Sequence, residues 1–305
     1  MTSIRFIDAG ELTRALPPDA AVQALLTALR RGLDPRGGIP RTFETLNNGE
    51  LLLMPAESDT AAGIKVLTVA PGNPERGLPR IQGLYILFDR ATLAPRALLD
   101  GIAITNIRTP AVSLAAIRDA VLRSTEPLDV VLFGAGPQAD AHLATLRAVL
   151  GSRRSVASVS TIVRAPDRVA SALGAGSPEA EAAVRRAGLV ICATTARTPL
   201  FDSSELRDDA VVVAIGSHDP DARELDSALM GRAQVIVEDE ATALRECGDV
   251  VLAVADGSLD PARLIPLSAI ATGTTVLDAR TPVVFKSSGM PWEDLVIAEA
   301  ALTRL

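Results

Sequence analysis

Val130-Val131-Leu132-Phe133-Gly134-Ala135-Gly136-Pro137-Gln138-Ala139 is the stretch that decides the fold. Four apolar residues run straight into a Gly-x-Gly-x-x-Ala pattern, and Asp140 to Leu150 then carries the three-and-four spacing of a helix. In that strand-turn-helix setting each small residue has a physical task. Gly134 permits the tight turn, Gly136 lets the backbone approach a pyrophosphate, and Ala139 lets the helix lie close to the sheet. The free N–H groups and dipole at the helix start favour an anion. The stretch therefore predicts a Rossmann-type dinucleotide domain, with NADP or NAD as the cofactor.

Outward from the turn, strand-like runs alternate with helical ones: Val130–Phe133, Val156–Ser160, Leu189–Ala193, Val211–Ile215, Val235–Val237 and Val250–Ala253. Such alternation predicts an α/β fold with a doubly wound parallel sheet. The second run normally ends in an acid that takes the ribose hydroxyl, but here Val159-Ser160-Thr161-Ile162-Val163-Arg164 ends in a cation. Arg164 tilts the cofactor choice toward NADP. The short stretch from Ala165 to Gly188 leaves little room for the usual third strand. Upstream, Pro18 to Arg31 reads as an amphipathic helix capped by Asp19. Thr42 to Leu99 reads as a mostly antiparallel sheet punctuated by Asn47-Asn48-Gly49 and Pro71-Gly72-Asn73-Pro74, and the tail from Pro291 to Leu305 is helical.

A chain of 305 residues suggests two domains, and 48% hydrophobic with 22% charged residues is the composition of a folded globular protein. Net charge −7 argues against nucleic acid or an anionic membrane surface as the main partner. Met1 to Asp8 lacks an apolar leader and no apolar run is long enough to span a bilayer, so a cytoplasmic location is expected. Cys192 and Cys247 stand alone and read as buried thiols, with no metal site expected. His142 reads as structural or exposed.

Ahead of the glycine turn, three cations stand in unusual settings: Arg41 after Gly-Gly-Ile-Pro, Lys65 within Ala-Gly-Ile-Lys-Val-Leu, and Arg108 within Thr-Asn-Ile-Arg-Thr-Pro. Lys65 interrupts an apolar strand, so it either points to solvent or faces a site and meets an anion. Alternation alone favours solvent.

The same segments, with Leu52-Leu53-Met54-Pro55, Gly77-Leu78-Pro79, Ala214-Ile215-Gly216-Ser217, Arg223-Glu224-Leu225-Asp226 and Phe285-Lys286-Ser287-Ser288-Gly289 before Glu293-Asp294, resemble the ornithine cyclodeaminase and mu-crystallin family. The blocks follow the family order across most of the chain. The resemblance implies a substrate and dimerisation domain of α+β type built from both chain ends, residues 1–115 with 288–305 returning to it, around a Rossmann domain at 116–287. It also implies a homodimer. It places Arg41, Lys65 and Arg108 at a substrate carboxylate, where a guanidinium fixes the plane and a lysine adds a charge and a proton. Thr109, with a helix starting near it, is placed at the cofactor phosphates. Gly136 and Gln138 fall at the pyrophosphate, Thr194 on the nucleotide side, and Ser287 and Gly289 near the nicotinamide, with Gly134 and Gly216 also binding the cofactor.

One departure shapes the functional reading. Where cyclodeaminases carry an aspartate, Gly216-Ser217-His218-Asp219-Pro220 aligns His218, and Asp219 stands one place later, within reach of a one-residue bulge. Losing that carboxylate disfavours ammonia elimination and leaves simple hydride chemistry at an imine carbon, with Lys65 and His218 as candidate catalytic groups. The leading expectation is an NAD(P)H-dependent reductase of cyclic imino acids, pyrroline-2-carboxylate or piperideine-2-carboxylate, giving proline or pipecolate. Alternatives are ornithine cyclodeaminase, an alanine or other amino acid dehydrogenase, and a mu-crystallin-like dinucleotide-regulated binding protein without turnover. The expected small-molecule partner is an imine or amino acid bearing a carboxylate.

Overall fold

The computed structural model describes residues 4–305; Met1 to Ser3, where the N-terminal stretch read for a leader begins, lie outside the described residues. The chain opens with β1 (Arg5–Ile7), α1 (Ala9–Ala15) and α2 (Pro18–Arg30). Strands β2 (Thr42–Leu46), β3 (Gly49–Glu57), β4 (Ala61–Val69), β5 (Ile81–Asp89) and β6 (Pro95–Asp100) lead to α3 (Gly101–Leu122). Then come β7 (Leu128–Phe133), α4 (Pro137–Leu150), β8 (Val156–Val163), β9 (Leu173–Gly174), α5 (Pro178–Arg186), β10 (Leu189–Cys192) and β11 (Val211–Ala214). The remainder is α6 (Ser227–Arg232), β12 (Gln234–Val237), α7 (Glu240–Glu246), α8 (Gly248–Ala255), β13 (Ile265–Pro266), α9 (Leu267–Thr272), β14 (Val283–Lys286) and α10 (Pro291–Leu302). Two compact units result: residues up to Val112 with Met290–Leu305, and Ser113–Gly289.

In the first unit the sheet order is β1-β6-β5-β4-β3-β2, antiparallel throughout β2 to β6, with β1 added parallel to β6. Helix α10 packs on β3, β4 and β5, and α2 packs on α10. Alternation on β4 sends Ala61, Gly63, Lys65 and Leu67 to the buried side. The solvent-facing reading of Lys65 is therefore wrong: Lys65 is 0% exposed. Its phase puts it under α10, whose carboxylate compensates the buried charge. Ile64 and Val66, the residues alternation would have buried, are only half-buried on the opposite face. There Leu53, Val66 and Leu84 stand in register, and Leu84 and Leu46 are exposed. Asp19 does not cap α2 either. Pro17 is the N-cap and Pro18 the first helical residue, because a fixed φ suits that position, which leaves Asp19 inside the first turn against the dipole. Gly63 owes its identity to Tyr85, since a Cβ there would lie 2.1 Å from the tyrosine oxygen.

In the second unit every strand is parallel, in the order β13-β12-β14-β11-β10-β7-β8-β9. The chain builds outward from β7 to β9, then restarts on the other side at β10, so the switch point lies between β7 and β10. A third strand exists after all, cut to two residues, because a single 3-10 turn at Pro166–Arg168 replaces the crossover helix. Val250–Ala253 belongs to helix α8 rather than to a strand. It is apolar on nearly every side, a pattern that buried helices and buried strands share. The sheet position goes instead to β14, between β11 and β12. Cys192 and Cys247 are buried free thiols. His142 is fully buried, bridging the Gln138 carbonyl at 2.7 Å and the Ser113 hydroxyl at 2.9 Å. Among the described residues no helix is long and apolar enough to cross a membrane.

Candidate functional site

The glycine turn has the shape a dinucleotide needs. Gly134 sits at φ 102°, where a Cβ would also meet the Ala193 carbonyl oxygen at 2.6 Å. Gly136 N-caps α4 with no side-chain cap, and a Cβ on it would find no protein atom within 4 Å. An uncapped helix start facing open space is a cradle for a pyrophosphate. Ala139 is buried and Gln138 stands in the first turn. Arg164, just past β8, is exposed and makes no ion pair among the described residues.

Beyond the carboxyl ends of β10, β11 and β14, buried carboxylates hold the loops. Glu224 accepts from the Thr194 backbone N–H at 2.9 Å, the Thr194 hydroxyl at 2.8 Å and the Gly216 N–H at 2.8 Å. Burial pushes its pKa up against those donors and against Lys286. Asp249 accepts from the N–H groups of Glu224 and Leu225, both at 2.8 Å, and pairs with Lys286 at 2.9 Å. Lys286 also donates to the Ser217 carbonyl at 2.7 Å. Burial opposes its charge, but Asp249, Cys247 and Glu224 outweigh burial and hold its pKa above the ordinary lysine value. Glu238 takes the Ser287 hydroxyl at 2.5 Å and the N–H groups of Ser288 and Gly289 at 3.2 Å. The loop between these anchors carries His218, which is exposed, and Asp219, which pairs with Arg197 at 3.3 Å. Arg197 also holds Asp221 at 2.6 Å.

The first unit contains a different cluster. Lys65 Nζ lies 2.7 Å from both carboxylate oxygens of Asp294. Arg108 donates to Glu293 at 3.0 Å, and its Nε stands 3.5 Å from Asp294. Lys65, Glu293 and Asp294 are fully buried, and Arg108 nearly so. Burial, helped by the charge of Arg108, pulls the Lys65 pKa down to about 8 although Asp294 and Glu293 work to raise it. The Tyr85 hydroxyl lies on the same face, in register with Lys65, with its pKa raised by burial and then by Asp294. Arg41 is half-buried, its guanidinium 5.6 Å from the Phe43 ring centroid. Lys65 and Arg108 thus converge on one carboxylate, while Arg41 lies over Phe43.

Contrary to the expectation of a helix start near Thr109, α3 begins at Gly101, where Asp100 accepts the N–H groups of Ile102 and Ala103 at 2.9 Å. Thr109 is buried in mid-helix. Glu293, Asp294, Asp249 and Glu238 were missed as site residues. A signal existed for the first two: adjacent acids in the first turn of the otherwise apolar Pro-Trp-Glu-Asp-Leu-Val-Ile-Ala helix.

The model of the ornithine cyclodeaminase/mu-crystallin family matches residues 13–304. The chain is 32% identical over 263 residues to a Δ1-pyrroline-2-carboxylate/Δ1-piperideine-2-carboxylate reductase of Azospirillum brasilense, covering 83% of this chain and 80% of that protein. It is 30% identical over 300 residues to the ketimine reductase mu-crystallin of Mus musculus, covering 93% and 90%. The structure of Thermococcus litoralis Δ1-pyrroline-2-carboxylate reductase with NADH and L-proline superposes with a TM-score of 0.84 over 99% of this chain and 97% of that one, at 24% identity.

Proposed function

The chain belongs to the ornithine cyclodeaminase/mu-crystallin family, and from that premise we propose that it is an NAD(P)H-dependent reductase of cyclic imino acids bearing a 2-carboxylate. The observation that carries the reading is the Lys65 cluster. A fully buried lysine with its pKa pulled to about 8 is charged at neutral pH yet close to release, which suits it to give a proton to an imine nitrogen. When bound, the reduced dinucleotide supplies the hydride. Gly134, Gly136 and Gln138 receive its pyrophosphate, Thr194 with Gly216 lies on its nucleotide side, Ser287 and Gly289 lie near its nicotinamide, and Thr109 contributes through its side chain. Arg164 meets a 2′-phosphate and tilts the preference to NADPH. Arg41, Lys65 and Arg108 receive the substrate carboxylate; Arg41 adds the positive charge that Lys65, Arg108, Glu293 and Asp294 formally cancel among themselves.

Cyclodeamination would need a base against the substrate amine. Asp219 is half exposed and held by Arg197, and His218 faces solvent, so neither stands ready as a shielded base. A homodimer fits the apolar outward face of Leu53, Val66 and Leu84 with exposed Leu46, a surface of the kind two-fold pairing covers.

The test is oxidation of NADPH and NADH against pyrroline-2-carboxylate, piperideine-2-carboxylate, 2-oxo acids with ammonia or amines, and ornithine with oxidised cofactor. Consumption with the two cyclic imines is expected. Steady release of proline and ammonia from ornithine, with no imine reduction, would overturn the proposal.

A further inference from the structure

We propose that Asp294 is a positioning residue of the reductive site: acting through Lys65 and not through substrate, it sets both where the Lys65 ammonium sits and how tightly it holds its proton. The inference rests on the imine-reductase reading for its catalytic consequence, but the coupling between the two side chains can be measured without it.

Helix α10 begins Pro291-Trp292-Glu293-Asp294, and both acids are 0% exposed. Neighbouring residues on a helix point about 100° apart, so burying both needs two separate partners. Glu293 has a structural use as well as an ionic one. One of its oxygens accepts the Met290 N–H at 3.2 Å at the helix start, while the other takes Arg108 at 3.0 Å. Asp294 serves only cations. Both its oxygens lie 2.7 Å from Lys65 Nζ, with Arg108 Nε at 3.5 Å. A buried ion pair is a poor way to gain stability, since apolar residues of the same volume commonly do as well or better. The arrangement is better understood as control of the lysine.

The groups facing Lys65 are few. On β3 its register partner is Met54 and on β5 it is Tyr85, whose phenol burial keeps neutral. Arg108 faces it from α3, and Glu293 and Asp294 face it from α10. Burial and Arg108 both disfavour the ammonium, and Asp294 is the main opposing charge. Without that carboxylate, burial and Arg108 would lower the proton affinity of Lys65 further, leaving less of it charged and able to act as an acid. With it, the step balances: a Lys65 N–H bond breaks as the imine nitrogen lone pair takes the proton, and a bound reduced dinucleotide would supply the hydride, and so the two electrons, for the new C–H bond. The neutral amine then regains a proton from water.

The chain contains only two lysines, Lys65 and Lys286, so selective ¹³C,¹⁵N-lysine labelling of the full-length protein gives two side-chain NMR signals, separated by the one lost in Lys65→Met. In the wild type the Lys65 signal should titrate near 8. In Asp294→Asn it should titrate at least roughly one pH unit lower, and the alkaline limb of kcat/KM for cyclic imine reduction should move down with it. In Asp294→Glu, which keeps the charge on a longer arm, the titration should stay close to wild type while kcat falls about tenfold from displacement of the ammonium. A Lys65 titration unmoved in Asp294→Asn would overturn the proposal. If Asp294→Asn fails to fold, Asp294→Glu decides: a shifted titration with unchanged kcat would equally overturn it. Should the wild type reduce no cyclic imine, the functional reading fails, and the NMR titration still decides the role of Asp294.

Discussion

Lys65 and Lys286 are the only lysines in the sequence, and both are completely buried against an aspartate, at 2.7 Å from Asp294 and 2.9 Å from Asp249. Their proton affinities nevertheless move in opposite directions. Next to Lys65 stands a second cation, Arg108, and burial wins; the pKa falls to about 8. Next to Lys286 stand further acids, Glu224 and the Cys247 thiol, and burial loses. Lys286 also reaches a backbone carbonyl, that of Ser217, which fixes a loop. A buried lysine–aspartate pair is therefore not one kind of device. The third charge decides whether the lysine is a proton donor near neutrality or a permanent tie between loops.

The contrast can be broken most sharply at Lys286. Lys286→Met strands Asp249 without its cation, an expected loss of ~3–5 kcal/mol. In a chain of this size that lowers the melting temperature by roughly 10 °C. A thermal melt within a few degrees of wild type would put Lys286 in the same class as Lys65. Lys65→Met should cost less than half as much stability, because Arg108 Nε still stands 3.5 Å from Asp294. It should cut kcat/KM for imine reduction by about 10²-fold or more while leaving dinucleotide binding near wild type, as calorimetry would show.

The comparison also predicts pH profiles of opposite slope. The folded chain binds the Lys65 proton less tightly than the unfolded chain does, so between pH 8 and the ordinary lysine value the unfolded state holds more protons. In denaturant melts the stability difference between wild type and Lys65→Met should accordingly rise over that window, just where wild-type activity falls. For Lys286 the folded pKa is the higher one, so its contribution stays constant across the window and is lost only above it. A flat Lys65 difference would show that the lysine titrates normally. The smallest effect is expected at His218: His218→Ala should change kcat/KM by less than about threefold, since an exposed imidazole gains little proton-donor advantage over water.

What could be read from the sequence was what local chemistry controls. The turn from Gly134 to Ala139 needs only its own backbone and a flanking strand and helix, so it was legible, and with it the parallel sheet. Lys65 was not, because its orientation depends on a carboxylate 229 residues further along the chain. Val250–Ala253 misled because a run that is apolar at every position shows no period, whichever element it forms. Thr109 misled in another way: the resemblance implied a helix start near it, but Asp100 starts the helix two turns earlier. The carboxylates that brace the loops, Glu224, Asp249 and Glu238, look like ordinary surface acids until the strands that bury them are assembled.

Because neither lysine reaches solvent, an acylating reagent can modify a lysine amine only after the side chains packed around it move aside. Lys65 lies in the first unit and Lys286 in the second. The rates at which a mild anhydride labels the two positions, followed by peptide mass, therefore act as separate clocks for opening of each unit under native conditions.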